Sequence, residues 1–344
     1  MAFFRDDKVQ IIAELSCNHV QNYDIAVKTL EEMAESGVDI VKVQNDNPDG
    51  GITIDCDNPY FQIKQGTLWD GETLYSLYQK TFTPWEWLPK LQTVAHQLGM
   101  ELFSTPSDPA GVDFLEKMNV PAYKISSFEI TDTELILAAA RTGKPIIFST
   151  GIATIEDIER AIAICQSVGN MQYMFMKCTS SYPAPIEAAN LLTMQDMKTR
   201  FGCHIGLSDH SMGDIVATTA VALGAEMIEK HFILDRSLGG PDAAFSMEPH
   251  EFKQMVQRIR EVEKALGRIN YELDGRALNN RKFAKSIFVI KDIKKGEPFT
   301  RDNLGIIRPG DGLMPYHYEE ILGKVAVRDI GRGTPLKIEM VSKI

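Results

Sequence analysis

The sequence predicts an α/β protein, a (β/α)8 TIM barrel followed by a small β-rich domain, and three observations carry that prediction. Up to about residue 267, short β-rich runs alternate with amphipathic helical stretches. Eight such runs fit into this length, which is the size of a closed parallel barrel. Nearly every run ends in polar side chains, which a core built for stability alone would not place there.

Taken in order, the runs are "QIIAEL" (10–15), "DIVKVQ" (39–44), "ELFST" (101–105), "AYKISS" (122–127), "PIIFSTG" (145–151), "YMFMKCT" (173–179), "HIGLSD" (204–209) and "MIEKHF" (227–232). Between them, 24–37, 111–119, 155–169 and 214–224 repeat their apolar residues at three-to-four spacing, and several end at glycine, the usual residue after a helix. An open doubly wound sheet would need a glycine-rich phosphate turn after its first strand, and "AELSCNH" (13–19) is not one. About 40 residues separate the second strand from the helix near "PWEW" (84–87). A connection of that length is usually functional, and this one, aromatic and polar, suits a lid or a substrate wall. A long helix at 249–267 completes the barrel domain, 1–267. A polar linker, 268–284, leads to 285–344, where short β runs are divided by turns such as "KKGE", "GDG" and "GRGT". So small a domain has a marginal core on its own and is expected to dock on a barrel, its own or a neighbour's.

Composition narrows the function. With 44% hydrophobic and 24% charged residues the chain reads as a globular protein, and no apolar run is long enough to span a membrane. Acidic residues near the start argue against a secretory signal, and five scattered cysteines without a CxxC pair read as reduced thiols, so a cytoplasmic location is expected. A net charge of −11 without a long basic run argues against nucleic acid and anionic membranes as partners. An anionic small molecule stays open, because a few cations focused in a pocket outweigh a distant acidic surface.

In a barrel, groups at the C-terminal strand ends meet in one pocket. Collected there are Glu14, Lys42, Gln44, Thr105, Lys124, Ser127, Ser149, Lys177, Thr179, Ser180, Ser208, His210, Glu229 and His231. Lys42 and Lys124 with Thr105, Ser127, Ser149 and Ser208 supply cations and hydroxyl donors that suit a phosphate dianion. His210 and His231, with Glu14 nearby, suit a divalent metal with open positions that could act on a carbonyl. Each residue also has a plainer reading. A strand lysine can be a salt-bridge partner, Ser or Thr before a helix an N-cap, and Asp209 a cap or a support for an imidazole. His96, His204 and His250 are assigned no role.

At these residues the sequence resembles the sialic acid synthase family, which condenses phosphoenolpyruvate with an amino sugar. The matching stretches are "AELSCNH", "VKVQ", "FSTP", "PAYKISSFE", "IIFSTGIAT", "KCTSSYPAP", "GLSDHS", "EKHF" and "GGPDAAFSMEP", in family order along the whole chain, with "IIRPGDG" in a C-terminal part that looks like an antifreeze-like (SAF) domain. Residues 55–79, "SSFEITD" and "CTSSYPAP" look like the branch of the family that makes pseudaminic acid; neuraminate or legionaminate synthesis is the alternative. The resemblance implies His210 and His231 as ligands of a divalent metal, usually manganese, with magnesium or cobalt as substitutes. It implies Lys42, Thr105, Lys124, Ser127, Ser149, Ser180 and Ser208 around phosphoenolpyruvate. Glu14 then sits at the reacting centre, and Gln44, Tyr182 and Asp242 line the side of an N-acetylated deoxy amino sugar. Arg308 would reach the N-acyl group in the other subunit's barrel, implying a domain-swapped homodimer. Cys17, Asn45, Ser107 and the stretch "NDNPDGG" (45–51) depart from the family pattern. A Schiff-base aldolase or lyase using Lys177 or Lys124, and a non-catalytic sugar-binding protein, are the rival readings.

Overall fold

The computed structural model describes residues 3–4, 8–49, 51–64, 66 and 69–342. Its contacts divide the chain into two compact units, Met1–Gly267 and Arg268–Ile344. The first unit is a closed barrel of eight parallel strands in sequential order: β1 (Gln10–Glu14), β2 (Ile40–Asn45), β3 (Glu101–Pro106), β4 (Tyr123–Ile125), β5 (Ile146–Ser149), β6 (Tyr173–Cys178), β7 (His204–Asp209) and β8 (Met227–His231). β8 pairs back onto β1, with Glu14 opposite both Lys42 and His231. The helices of this unit are α1 (Tyr23–Glu35), α2 (Leu74–Thr81), α3 (Leu88–Gln97), α4 (Pro109–Lys117), α5 (Thr133–Arg141), α6 (Ile155–Ser167), α7 (Leu192–Phe201), α8 (Ile215–Ala222) and α9 (Pro249–Leu266).

Period-two alternation along each strand sorts its side chains between two cores. Outward residues such as Ile11, Val41, Leu102, Phe148 and Ile228 pack under the helices. Inward residues near the strand starts (Ile12, Ile40, Phe103, Ile147, Met174, Met227) fill the barrel floor. Farther along the same inward faces the residue types turn polar: Glu14, Lys42, Lys124, Ser149, Ser208, Glu229 and His231 are all buried at the C-terminal end. An apolar plug thus supports a polar layer.

The structure departs from the sequence expectation at β4, in the long β2–β3 connection and at β5, which covers Ile146–Ser149 rather than 145–151. β4 covers only Tyr123–Ile125 rather than 122–127, because Ser126 turns the chain: its hydroxyl accepts from Phe128 N and bonds Glu129, and its carbonyl accepts from Glu129 N. The long β2–β3 connection contains α2, capped by reciprocal bonds between Thr73 and Ser76. Gly50, Gln65, Thr67 and Leu68 of that connection, like Met1, Ala2 and residues 5–7 of the N-terminal segment, lie outside the described residues.

The second unit carries α10 (Gly275–Asn280), an antiparallel pair β9 (Ser286–Val289) and β10 (Leu304–Ile307), and the single turn α11 (Tyr318–Ile321). Its own small core gathers Ile287, Val289, Phe299, Leu304, Leu336 and Val341. No helix among the described residues is long and apolar enough to cross a membrane.

Candidate active site

A cavity of about 180 Å³ opens at the C-terminal end of the barrel strands. Lys42, Gln44, Thr105, Lys124, Ser127, Ser149, Tyr182, Ser208, His210, His231 and Asp242 line it. Glu14, fully buried, lies beneath Lys42 and bonds its ammonium. Ser180 faces the same corner as Ser127: a Cβ placed at Gly151 would stand 2.1 Å from Ser180 Oγ and 2.8 Å from Ser127 Oγ. Arg308 is exposed on the second unit, just past β10. Lys177 points away from the cavity, its ammonium donating to Cys178 O (2.6 Å) and Thr179 Oγ1 (3.4 Å), as alternation along β6 requires.

Four charges occupy the floor. Lys124 Nζ donates to Glu229 Oε2 at 2.5 Å, Lys42 Nζ lies 3.3 Å from Glu229 Oε1, and Ser208 Oγ donates to that oxygen at 3.1 Å. Burial works against the Lys42 ammonium, but Glu14 and Glu229 override it and hold the group above the ordinary lysine range. Burial pulls Lys124 below its ordinary value despite Glu229. Glu229 is itself opposed by burial, yet Lys124 and Lys42 keep it firmly ionised. Glu229 stands two residues before His231 on β8 and so shares its inward face; alternation was the signal that gives it a part in the site beyond ending a strand.

Hydroxyls on the opposite wall behave differently. Thr105 Oγ1, Ser149 Oγ and Ser180 Oγ are buried without a hydrogen-bond partner among the described residues. Ser127 Oγ accepts from Gly151 N at 2.9 Å.

The two imidazoles face one another, ring centroids 5.2 Å apart, with Phe245 packed on both and Tyr182 4.5 Å from His210. His210 Nδ1 lies 3.0 Å from Thr179 O. A proton on Nδ1 donated to that carbonyl leaves Nε2 with its lone pair. His231 Nδ1 is buried without a hydrogen bond among the described residues, 3.4 Å from Asp242 Oδ2. Burial opposes the Asp242 carboxylate, but His231 and Ser16 hold it below the ordinary range. The two imidazoles stand close enough to serve as a pair of nitrogen ligands to a divalent cation, although no group of three or more His, Cys, Asp or Glu side chains among the described residues is gathered to hold one. Asp209 turns away into a buried pair with Lys230 at 2.7 Å and caps Ser211 N, a supporting role.

Family comparison agrees with this geometry. The NeuB family model matches residues 29–271 and the SAF domain model residues 284–342. The chain belongs to the NeuB family, which bears out the resemblance to the sialic acid synthases and marks it as a phosphoenolpyruvate-condensing transferase. It is similar to a pseudaminic acid synthase of Helicobacter pylori, 46% identical over 97% of this chain and 98% of that protein. An N,N'-diacetyllegionaminic acid synthase of Campylobacter jejuni is 37% identical over 94% of this chain and 97% of that protein. Among solved structures, N-acetylneuraminic acid synthetase of Leptospira borgpetersenii in complex with citrate superposes with a TM-score of 0.71 at 29% identity, covering 80% of this chain and 90% of that one.

Proposed function

We propose that the barrel condenses phosphoenolpyruvate and water with the open-chain aldehyde of 2,4-diacetamido-2,4,6-trideoxy-L-altrose, giving pseudaminic acid and phosphate. The observation that carries the reading is the pair of unpartnered buried hydroxyls, Thr105 and Ser149, on the cavity that also holds Lys42 and Lys124, with Ser180 nearby at the Gly151 corner. Donors arranged around two ammonium groups suit an acceptor-only, multiply charged ligand. The difference between 46% and 37% identity favours the pseudaminate sugar over the legionaminate one.

Lys42, Lys124, Ser127 and the free hydroxyls bind the phosphate and carboxylate, and Ser208 keeps Glu229 in place between the two lysines. Gln44, Tyr182 and Asp242 orient the aldehyde chain from the other side. C3 of the enol phosphate then bonds to the aldehyde carbon, whose oxygen takes up a proton. Water adds at C2, losing a proton, and the C–O bond to phosphate breaks. Holding both substrates in one small cavity removes most of the entropy of encounter. A divalent cation held by His210 and His231, manganese by family resemblance with magnesium or cobalt able to replace it, would supply Lewis acidity toward the aldehyde oxygen. Glu14 stays at the reacting centre, where its Oε1 accepts from Ser16 N and its other oxygen steadies Lys42.

The enzyme works in the cytoplasm as a homodimer in which Arg308 serves the partner's barrel. Ile152, Ile186, Met212 and Ile215, at the ends of loops after β5, β6 and β7, are each about half exposed in the single chain, which supports a covering partner.

The test is phosphate release with product mass spectrometry, offering phosphoenolpyruvate with the L-altrose sugar and with the epimeric diacetamido sugars. Turnover of the L-altrose substrate, lost on exhaustive chelation and restored by manganese, is expected. Preference for an epimer overturns the sugar assignment, and full activity after chelation overturns the metal.

A further inference from the structure

Beyond Gln44 the inward face of β2 continues to one more residue. Asn45 points outward, where its amide accepts from Ser104 Oγ (2.7 Å) and lies 3.5 Å from Gly111 O. Asp46 therefore follows Lys42 and Gln44 on the inner wall, each pair of positions separated by roughly 6–7 Å of strand. Lys42 is on the floor; Asp46 is at the outer level of the cavity. It is 7% exposed, lines the cavity, and its carboxyl has no hydrogen bond or ion pair among the described residues. Glu129, on the turn after β4, and Tyr78, on α2, line the same outer level.

Its oxygens are not among the enclosed unpartnered atoms, so they open onto the cavity, where a ligand can reach them. Nothing in the packing of β2 requires a carboxyl there, since the strand has ended at Asn45. Phosphoenolpyruvate, the smaller substrate, is matched by the lysines and hydroxyls deeper down. A six-carbon chain whose aldehyde lies near His210 and His231 must extend its far end toward the outer level.

We propose that Asp46, beside Glu129, is a sugar-binding residue that hydrogen-bonds the polar substituent the amino sugar carries at the end remote from its aldehyde. The assignment rests on the synthase reading above. Burial, reinforced by the nearby Glu129 and Glu14 and by Asp108, against a smaller pull from Lys42, pushes the Asp46 carboxyl up to about 8. Burial likewise raises Glu129, and it raises the Tyr78 hydroxyl with help from Asp46 and Glu129. At neutral pH the Asp46 carboxyl keeps its proton and presents both a donor and an acceptor, which matches an acetamido group or a hydroxyl. Above pH 8 it loses the donor and gains a charge next to Glu129.

The test is steady-state kinetics of the full-length enzyme with each substrate varied separately, comparing wild type, Asp46→Asn and Asp46→Ala. Asp46→Ala is expected to raise KM for the sugar about tenfold, the worth of one hydrogen bond, with KM for phosphoenolpyruvate within twofold. Asp46→Asn, which keeps a donor and an acceptor, should retain most sugar affinity. Wild-type KM for the sugar should climb as pH rises from 7 to 9, and in Asp46→Asn it should stay level. An unchanged sugar KM in Asp46→Ala, an equal rise for both substrates, or the same pH profile in Asp46→Asn overturns the proposal. If the alanine variant does not fold, the asparagine pH profile decides alone. Failure of the synthase reading looks different: wild type itself would release no phosphate with any acetylated amino sugar.

Discussion

The floor of the cavity and its β3–β5–β6 wall meet the same problem, burial of polar groups, in opposite ways. On the floor Lys42, Lys124, Glu14 and Glu229 are each answered by an opposite charge. On the wall Thr105 and Ser149 are answered by none of the described residues. The difference follows from magnitudes. Breaking a buried ion pair by removing one partner costs about 3–5 kcal/mol, whereas an unsatisfied hydroxyl costs about 1–3 kcal/mol. A stable barrel can carry lone hydroxyls toward a ligand, but lone ammonium groups must be neutralised from within. Glu229, bonded to both lysines and Ser208, does that, so ligand binding on the floor is an exchange of partners rather than a simple addition.

The largest effect should come from breaking that exchange. Lys124→Met leaves Glu229 buried with only Lys42 and Ser208, and it should destabilise the barrel by about 3–5 kcal/mol in denaturant unfolding, besides abolishing turnover. The double variant Lys124→Met/Glu229→Leu should recover most of the stability and none of the activity. A loss below about 1 kcal/mol for the single variant would mean that the floor charges do not depend on one another.

Next in size is a change that disturbs the wall alone. Gly151 has an ordinary backbone, but a Cβ there would meet Ser180 Oγ at 2.1 Å and Ser127 Oγ at 2.8 Å. Gly151→Ala must displace one or both hydroxyls, and misplacement on the ångström scale is expected to lower kcat/KM by about a hundredfold. Because the floor pairs are untouched, the unfolding midpoint should move little. A large stability loss with kinetics intact would reverse the assignment of that corner.

How far the sequence discloses these two regions differs as well. Barrel and polar strand ends were legible because one alternation writes both: Ile12 then Glu14, Ile147 then Ser149, Met227 then Glu229 and His231. The wall hydroxyls could be read as donors from their positions alone. Glu229 could not be read as the keystone of the floor, because its partners come from β2, β4 and β7, and only closure of the barrel brings them together. Asp46 was hidden for a related reason: its strangeness lies in lacking a partner, and a missing contact leaves no trace in sequence. Helix α2 escaped notice because its cap pairs Thr73 with Ser76 rather than with the usual Glu or Gln. The early end of β4 came from local bonding by Ser126, which strand propensity does not register.

The smallest effect is the sharpest test of the wall. Ser149→Ala removes a hydroxyl that has no partner among the described residues, so in the free protein it removes a desolvation cost and no bond. Stability should hold or rise slightly in thermal unfolding. If Ser149 donates to the enol phosphate, the variant loses a hydrogen bond to a charged group, worth about 1.5–3 kcal/mol. KM for phosphoenolpyruvate should therefore rise about ten- to a hundredfold while KM for the sugar stays level. Those opposite signs, steadier fold and weaker anion binding, are what a ligand-directed hydroxyl requires. A hydroxyl that only filled space would lower stability when cut and leave both KM values where they were.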